Sequence, residues 1–347
     1  MLDPTRPPDV STADNLAADA HTAVAEAPLV WPDDKGRVVA VTGASGFVGV
    51  HVCRALAETG WRVRALVHNP AKAAARLAHL PVEVRAGDIR DADFVRSALA
   101  GATAVVHLAA VAIERGDLTY EAVNASATRT VLDAASHAGV RRFVHMSQNG
   151  SDSRSPYRFL RSKGEAQDMV VASALRWTVL KPSVIFGPED EFVNVIARLV
   201  RLTPLVLPLP DGGRAMFQPV FVDDIATVIV RTLQDDSTVA QLYPLGGPVP
   251  LTLRQMAERI LIAMRAKRTI VGVPIALVKP AVAALERIIP NPPITTGLLD
   301  LLSIDNAVPD NTITSVFGVQ PTPFAPEELL YLRRITVRSA IDSLFKH

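Results

Sequence analysis

The sequence predicts an α/β protein: a doubly wound parallel sheet followed by a smaller, mainly helical carboxyl-terminal lobe. Three observations support this prediction. Short apolar runs alternate with helical patterns from residue 37 to residue 182, and the first run, RVVAVT, is nearly continuous, as expected of a strand covered on both faces. A glycine-rich turn separates this first strand from the first helix. After residue 182 the alternation ends, and prolines become frequent.

The first half of the chain repeats strand and helix in strict order. Such a repeat forms one parallel sheet, because each strand returns through a right-handed helical crossover. We predict strands at 37–42, 62–68, 82–87, 103–109, 142–147 and 177–182, and helices at 47–60, 70–79, 91–100, 117–138 and 156–174.

The second half has a less regular pattern. We predict helices at 189–202 and 251–267, an irregular Pro- and Gly-rich segment at 204–214, a short strand and a helix beginning at Asp223 or Asp224 within 216–236, and one or two helices at 326–347. The resulting organisation is a disordered tail at 1–34, a sheet domain at 35–185 plus 216–247, and a smaller helical lobe at 186–215 plus 248–347.

Composition excludes several classes of protein. Hydrophobic residues make up 49% and charged residues 20% of the chain, which provides a sizeable core. The formal net charge of +1 argues against a nucleic-acid partner. Cys53 is the only cysteine, so an intrachain disulfide and a cysteine-based metal site are excluded, and we expect no metal and a reducing, cytoplasmic location. No apolar run approaches the roughly 20 residues of a transmembrane helix.

The stretch TGASGFVG, residues 42–49, places three glycines between the first strand and the first helix. Gly43 permits a tight turn, Gly46 lets a pyrophosphate approach the backbone, and Gly49 lets the helix pack closely on the strand. Ser45 and Phe47 belong to the same turn. A glycine trio alone is weak, and the alternative is an ordinary turn. This trio has the strand–turn–helix context of a dinucleotide site, which is therefore the prediction.

The end of the second strand carries information about the nucleotide. Proteins that bind the ribose 2′-hydroxyl of NAD place a carboxylate there. Here the strand contains Arg64 and ends at His68, followed by Asn69 and Lys72. Neutral or cationic groups tolerate a 2′-phosphate, so the sequence predicts NADP(H) in preference to NAD(H). The alternative is that His68 and Lys72 are solvated surface residues.

Several further stretches extend this pattern along the chain. They are GDIRD at 87–91, HLAA at 107–110, Asn124, Ser147, Lys163, KPSVIFGP at 181–188 and FQPVFVDDIA at 217–226. Together with the glycine turn, they resemble the extended and atypical short-chain dehydrogenase/reductase superfamily, whose NAD-dependent epimerases and dehydratases share a Rossmann sheet. SPYRFLRSKGEA at 155–166 and NPPITTGLLDLLSIDN at 291–306 are most similar to the group related to the nucleotide-binding accessory subunit of respiratory complex I.

The resemblance implies roles for residues at the carboxyl edge of the sheet. Asp88 and Ile89 would flank the adenine, Leu108, Ala109 and Ala110 would line the nucleotide path, Lys163 would bond the nicotinamide ribose, and Pro182 to Val184 would lie near the nicotinamide. Each position also has a structural alternative: Ile89 and Ala109 as core, Asp88 as the cap of the next helix, and Asn124 as a solvated helix residue.

One residue departs from the catalytic pattern of this superfamily. Catalytic members place a tyrosine four residues before the lysine, on the same helix face. Here Phe159 occupies that position before Lys163, and a phenyl ring has no proton to exchange. Tyr157 stands six residues before the lysine, about 240° away around a helix. With Ser155 as N-cap and Pro156 at the first helical position, Tyr157 would lie inside the helix.

Other proton donors remain open. The candidates are Tyr157, Tyr120 and an acid carried by the substrate. Ser147 is placed to assist, with a backbone-bonded strand-end hydroxyl as its alternative role. Gln148 and Asn149 would bond a carboxamide or a polar atom of the substrate. We expect an NAD(P)(H)-binding protein that is weakly catalytic or non-catalytic, with a structural or redox-sensing role linked to respiratory complex I or quinone metabolism. The alternative is an active NADP-dependent oxidoreductase, epimerase or dehydratase with a relocated proton donor.

The segment 273–293 is apolar along most of its length, with Lys279, Glu286 and Arg287 as its only charges. Pro280 should interrupt or kink a helix here. Such a segment fits contact with a respiratory-complex partner or with a membrane surface, which would make the protein peripheral on the inner face of the membrane. The alternative is that it packs over the core of its own domain.

Overall fold

The computed structural model describes residues 36–289 and 294–345. The tail expected at 1–34 lies outside the described residues, as do residues 290–293 of the apolar segment.

A seven-stranded parallel sheet forms the centre of the molecule. Its strands are β1 (Val38–Thr42), β2 (Arg62–Val67), β3 (Val82–Ala86), β4 (Ala104–His107), β5 (Arg142–Met146), β6 (Trp177–Pro182) and β11 (Gln241–Leu245). In space they run in the order β11, β6, β5, β4, β1, β2, β3, and every neighbouring pair is parallel.

Helices on both faces connect these strands. They are α1 (Phe47–Glu58), α2 (Pro70–Leu77), α3 (Ala92–Leu99), a π-helix (Tyr120–Ser126) continued by α4 (Ala127–His137), α5 (Arg158–Val171) and α7 (Val222–Gln234).

Strand β1 shows how the two faces are separated. Val39 and Val41 face the core shared with α1 and α7, whereas Val38 and Ala40 face the core shared with α3 and α4. All of these side chains are buried, as the continuous apolar run predicted. The predicted doubly wound α/β class is therefore confirmed.

A third apolar cluster is formed by elements outside the central sheet. It includes Leu207, Phe217, Met256 and Leu332. Its helices are α6 (Val193–Leu202), α8 (Leu253–Ala263), α9 (Ile275–Ile288), α10 (Thr296–Leu302) and α11 (Val337–Phe345), with a 3₁₀ turn at Leu330–Arg334. Short strands accompany them: β7 (Ile185–Phe186), β8 (Val206–Pro210), β9 (Met216–Phe217), β10 (Val220–Phe221), β12 (Leu251–Thr252) and β13 (Thr269–Val273).

Several local expectations were wrong. The segment 204–214 is not wholly irregular, because β8 lies in it and pairs in parallel with β13. Strand β11 was missed, although it pairs with β6 along five residues. Helix α7 begins at Val222, one residue before the earliest expected start. The helix expected at 117–138 begins as a π-helix, a form that often occurs at functional sites.

Helix α9 continues through Pro280, so of the two expected effects, interruption or a kink, the interruption was wrong. Proline removes one backbone hydrogen bond, here to the carbonyl of Ala276 on an exposed turn of the helix. Within the described residues, no helix has the length and apolarity needed to cross a bilayer.

Candidate nucleotide site and adjoining cleft

The glycine turn after β1 leaves no room for side chains at its two ends. Gly43 has a φ of +68°, and a Cβ there would lie 3.0 Å from the Cα atom of Ala109. A Cβ at Gly49 would lie 2.2 Å from the carbonyl oxygen of Gly43, which is closer than any real contact. The turn and the close packing of α1 on β1 therefore both require glycine.

The amino terminus of α1 is free of competing side chains. Its N-cap residue, Gly46, provides no capping group, and the first turn contains no acidic residue. The first backbone N–H groups of a helix have no partner within the helix, and the helix dipole makes this end positive. A Cβ at Gly46 would lie 3.0 Å from the Gly43 carbonyl, so the glycine keeps the approach open. These residues fit a pyrophosphate group.

The end of β2 and the end of β3 meet through a pair of polar side chains. His68 has a side chain that is 62% exposed, with Nδ1 3.8 Å from Oδ2 of Asp88. Arg90 donates to Asp88 at 2.6 Å and bonds Asp117 at 2.8 Å. The Arg90 guanidinium holds the pKa of Asp88 below its usual range. Asp88 is thus ionised and occupied by Arg90, and no carboxylate lies at the end of β2 itself.

Two expectations at this end of the sheet need correction. Asp88 does not cap the following helix; Asp91 does, accepting hydrogen bonds from the first backbone N–H groups of α3. Arg64 points to the carboxyl terminus of α3, where it donates to the carbonyls of Ala98 and Ala100 at 2.8 Å. Asn69 is used as the N-cap of α2, where its side chain accepts from the backbone N–H of Lys72 at 2.9 Å. The other neutral or cationic groups expected near the end of β2 are His68 and Lys72.

Lys163 is buried at the carboxyl edge of the sheet. Its side chain comes from α5, and Nζ donates to the carbonyl oxygen of Met146 at 2.7 Å. Burial lowers the pKa of Lys163 to about 8. An ammonium has three donors, and one of them is taken by this carbonyl.

Ser147 follows β5 and lies in a small network of side chains. Its hydroxyl bonds Oγ of Ser151 at 2.9 Å and donates to Oε1 of Gln167 at 3.1 Å, so the expected backbone bond was wrong. Asn149 is also occupied, because its side-chain amide donates to Asn306 and to a neighbouring carbonyl. Both N–H donors of this amide are used within the protein, and the expected bond from Asn149 to a carboxamide stays a prediction.

The other expected cofactor residues lie at neighbouring strand ends. Ser45 and Phe47 are in the glycine turn, Ile89 is half-buried after β3, Leu108, Ala109 and Ala110 follow β4 with increasing exposure, and Pro182 and Val184 are buried at the end of β6. Ile89 also packs against the core on the α3 and α4 face, as its structural alternative anticipated. In the described parts of the chain, no group of three or more His, Cys, Asp or Glu side chains could hold a metal ion.

Asn124, in the π-helix, is buried rather than solvated. Its side chain accepts from the backbone N–H of Val111 at 2.8 Å and donates to Oγ of Ser162 at 3.0 Å. Ser162 in turn donates to the carbonyl oxygen of Phe159 at 2.8 Å. Asn124 therefore joins the segment after β4 to the first turns of α5.

A cleft of about 540 Å³ opens beside this network. It lies between the segment after β4, the start of α5 and the helices α9 and α10. Phe159 lines it together with Tyr120, Tyr157 and Glu286. Across one wall, Arg158 forms two hydrogen bonds with Glu114, at 2.6 and 3.0 Å.

The aromatic rings in the cleft contact each other rather than the lysine. Tyr120 and Phe159 meet edge to face, with ring centroids 5.7 Å apart. The Tyr120 hydroxyl donates to the carbonyl of Ala112 at 2.8 Å, and burial raises its pKa. The ammonium of Lys163 has its hydrogen bond to Met146, and no tyrosine hydroxyl bonds it among the described residues.

The start of α5 differs from the expectation. The helix begins at Arg158, and Tyr157 is its N-cap residue, so placing Tyr157 inside the helix was wrong. Ser155 does not cap the helix; its hydroxyl accepts from the backbone N–H of Tyr157 at 3.2 Å and closes a local turn instead. Tyr157 is thus half-buried at the cleft wall.

Sequence reasoning missed several hydrogen-bonded residues of this region. They are Thr42, His107, Glu114, Arg158 and Ser162. One signal was present, because a histidine within the apolar run AVVH of β4 requires a hydrogen-bond partner if it is buried.

Comparisons with known proteins agree with this geometry. A family model described as NAD(P)H-binding matches residues 43–236. The mitochondrial NADH dehydrogenase (ubiquinone) 1 alpha subcomplex subunit 9 of Arabidopsis thaliana is 30% identical over 288 residues, covering 81% of this chain and 71% of that protein. A ceramide reductase of Caulobacter vibrioides is 32% identical over 198 residues, covering 57% of this chain and 61% of that protein.

The fold is also similar to that of solved structures. The UDP-glucose 4-epimerase of Thermus thermophilus, solved in complex with NAD, has a TM-score of 0.66 and 19% sequence identity. The match covers 88% of this chain and 99% of the epimerase. At this level of identity the similarity concerns the fold alone.

Substitution of Gly49 by alanine should weaken nucleotide binding and lower the free energy of unfolding. The added methyl group would overlap the Gly43 carbonyl, and overpacking of this kind costs about 1–3 kcal/mol. Gly297→Ala is the matched control, because its Cβ would lie 3.5 Å from the Tyr120 hydroxyl, an ordinary contact. Urea unfolding and NADPH fluorescence titration measure both effects. Equal behaviour of the two variants would contradict the role assigned to Gly49.

The buried charge of Lys163 should be visible in the pH dependence of stability. Its pKa is about 8 in the folded protein and 10.5 ordinarily, so between these pH values the unfolded chain binds more protons and stability rises with pH. Lys163→Met lacks this contribution. The stability of the variant relative to wild type should therefore fall by about 3 kcal/mol between pH 7.5 and 10.5.

Urea unfolding at several pH values measures this difference. Lys181→Met provides a control at a half-buried lysine whose pKa is also lowered by burial but which lies outside the nucleotide site; its relative stability should change less. A constant difference between wild type and Lys163→Met across the range would show that the ammonium is not buried.

Proposed function

The chain belongs to the NAD(P)H-binding family, and from this premise we propose that it holds NADP(H) as a resident nucleotide while catalysing hydride transfer weakly or not at all. The observation that carries the proposal is the phenyl ring of Phe159 in the cleft, one helical turn before Lys163. A general acid or base must lie within hydrogen-bond reach of the proton that it transfers. A phenyl ring has no such group, whereas the lysine keeps donors that suit a ribose.

The residues that would hold the nucleotide follow from the geometry. The backbone N–H groups at the start of α1, next to Gly46, would bind the diphosphate. Lys163 would donate to the nicotinamide ribose while its bond to Met146 fixes the direction of the ammonium. Leu108 and Pro182, both buried, would exclude water from the nucleotide path. When bound, a nicotinamide dinucleotide supplies a hydride donor or acceptor.

The preference for NADP(H) rests on charge at the end of β2. His68 is exposed there, and its neighbour Asp88 is already paired with Arg90. A 2′-phosphate would thus meet a neutral or protonated imidazole, with Lys72 one turn further on, rather than a carboxylate at the strand end.

The relatives support the proposal of a structural or redox-sensing role in a larger assembly. Proteins named as subunits of mitochondrial NADH dehydrogenase match most of this chain. Helix α9 offers a surface for such a contact: Leu277 is 71% and Ile288 77% exposed, whereas Val282 is buried on the inner side. Lys279 pairs with Asp300 and ties this helix to α10 at the cleft. We assign this helix to a respiratory-complex partner or a membrane surface, with the protein peripheral on the inner face of the membrane.

The second candidate function is an active NADP-dependent oxidoreductase, epimerase or dehydratase. Two tyrosines favour it, because Tyr120 and Tyr157 both line the cleft near Phe159. One of the relatives also supports it, because its name, ceramide reductase, is that of an oxidoreductase. The raised pKa of Tyr120 and its bond to Ala112 make this tyrosine a poor proton donor at neutral pH, so the first proposal is favoured.

Purified protein should carry a nicotinamide nucleotide without consuming it. Mass spectrometry of the released nucleotide identifies the species, and NADPH oxidation is followed with quinones, aldehydes, ketones and sugar nucleotides. Phe159→Tyr restores a phenol one turn from Lys163 and should raise any trace rate by about 10²-fold. Robust turnover by the wild type would overturn the proposal, and its loss in Tyr120→Phe or Tyr157→Phe would identify the relocated donor.

His68→Asp should shift the nucleotide preference toward NADH. A carboxylate at this position accepts a hydrogen bond from the 2′-hydroxyl and repels a 2′-phosphate, so the ratio of the two dissociation constants should change by about tenfold. His79→Asp introduces the same charge at an exposed histidine after α2, at the opposite edge of the sheet, and should leave the ratio unchanged. If the ratio of the NADPH and NADH dissociation constants were unchanged in His68→Asp, the end of β2 would not contact the 2′-substituent of the ribose.

Vesicles test the surface contact of α9. In flotation with vesicles of anionic lipid, the double variant Leu277→Ser and Ile288→Ser should bind at least about threefold more weakly than wild type, because it removes the two most exposed apolar side chains of the helix. The control, Leu205→Ser and Ile262→Ser, removes side chains that are 77% and 64% exposed elsewhere. Equal losses would indicate non-specific adhesion, and no binding by any form would favour a protein partner.

A further inference from the structure

A buried histidine joins two segments that border the nucleotide site. His107, the last residue of β4, is 0% exposed. Its Nδ1 atom lies 2.8 Å from Oγ1 of Thr42, the residue before the glycine turn. Its Nε2 atom lies 2.9 Å from Oγ1 of Thr128 in α4. The ring therefore links the end of β1 to the helix that continues the π-helix.

The partners of the ring determine which nitrogen carries the proton. Oγ1 of Thr42 already accepts from the backbone N–H groups of Leu108 and Ala109, both at 3.2 Å. A hydroxyl oxygen has two lone pairs, so Thr42 must donate its own proton to Nδ1 of His107. The hydrogen bond at the other ring nitrogen also places the proton on Nε2. Thr128 donates to the carbonyl of Asn124 at 2.7 Å and therefore accepts from Nε2–H.

The surroundings keep this ring neutral. His145 on β5 stacks on it with ring centroids 5.4 Å apart, and Lys163 on α5 adds a nearby positive charge. Phe143 and Thr128 complete the contacts described for the ring. Burial and the lysine lower the pKa of His107 to about 3, and burial lowers the pKa of His145 as well. Both effects favour the neutral form of the two rings.

The hydrogen bond between His107 and Thr42 lies beside the close approach of the glycine turn to the end of β4. Thr42 precedes Gly43, at which an added Cβ would lie only 3.0 Å from the backbone of Ala109. Because Thr42 holds both the ring and the N–H of Ala109, its position fixes the distance between the first glycine and the end of β4. The bond through Thr128 extends this constraint to Asn124 and hence to the cleft.

We propose that His107 is a positioning residue for the nucleotide site: as a neutral ring protonated on Nε2, it holds the glycine turn against the end of β4 and aligns both with the π-helix. The proposal rests on the proposed function, since it concerns affinity for the nucleotide. His107 contacts no nucleotide itself and acts through Thr42 and Thr128.

Three substitutions separate positioning from simple packing. His107→Phe keeps a ring of similar size and removes both hydrogen bonds, so it should weaken NADPH binding by about tenfold or more. His107→Gln can accept from Thr42 and donate to Thr128, and should stay within about threefold of wild type. The control is His145→Leu: both ring nitrogens of His145 are buried without a hydrogen-bond partner in the described structure, so this change should leave the affinity unaltered.

Nitrogen-15 NMR of histidine-labelled wild-type protein supplies a second readout, of the ring tautomer rather than of nucleotide affinity. Resonances of His107, identified by their absence from His107→Gln, should show a proton on Nε2 and none on Nδ1, without change down to about pH 5. NADPH dissociation constants are measured by fluorescence, and urea unfolding confirms that each variant is folded under the conditions of the titration.

The outcomes are distinct. The proposal is supported if His107→Gln keeps its affinity for NADPH, His107→Phe loses affinity, and the NMR spectrum shows the Nε2–H tautomer. A proton on Nδ1, a phenylalanine variant that binds like wild type, or an equal loss in His145→Leu would overturn it. Absence of binding of both NADPH and NADH by the wild type would instead overturn the nucleotide function on which it rests.

Discussion

The carboxyl edge of the sheet depends on one constraint: polar groups buried there must find their partners within the protein. Both faces of the sheet are covered by helices, so Thr42, His107 and Lys163 cannot be solvated by bulk water. Thr42 and His107 bond each other, and Lys163 bonds the Met146 carbonyl. Each bond joins a strand end to a different element, so satisfying these groups also fixes the relative positions of the segments around the nucleotide.

The same constraint acts around Phe159, at the start of α5. Phe159 needs no hydrogen-bond partner and packs edge to face with Tyr120. Its backbone carbonyl, however, receives the bond from Ser162, which is held by Asn124. The helix is thus anchored through its backbone whichever side chain stands at 159. The placement of Lys163 therefore does not depend on a hydroxyl at position 159.

The carboxyl-terminal segment is attached to the sheet by hydrogen bonds rather than by apolar packing alone. Asn149 and Ser183, which follow β5 and β6, bond the backbone or side chain of Asn306. Asn311 bonds Gly246 after β11. These contacts bring α10, and with it α9, beside the start of α5, and the cleft is the space that remains between them.

The sequence by itself determined six of the seven strands of the sheet, the helices between them and the glycine turn, because these depend on periodicity and spacing between near neighbours. It also identified Phe159 and Lys163 as a pair on one helix face. The start of α5, the partners of Asn149 and the role of His107 were decided only by the tertiary structure. Each depends on a contact between residues far apart in the chain, such as Asn149 and Asn306, and no local spacing specifies which distant acceptor a buried donor will meet.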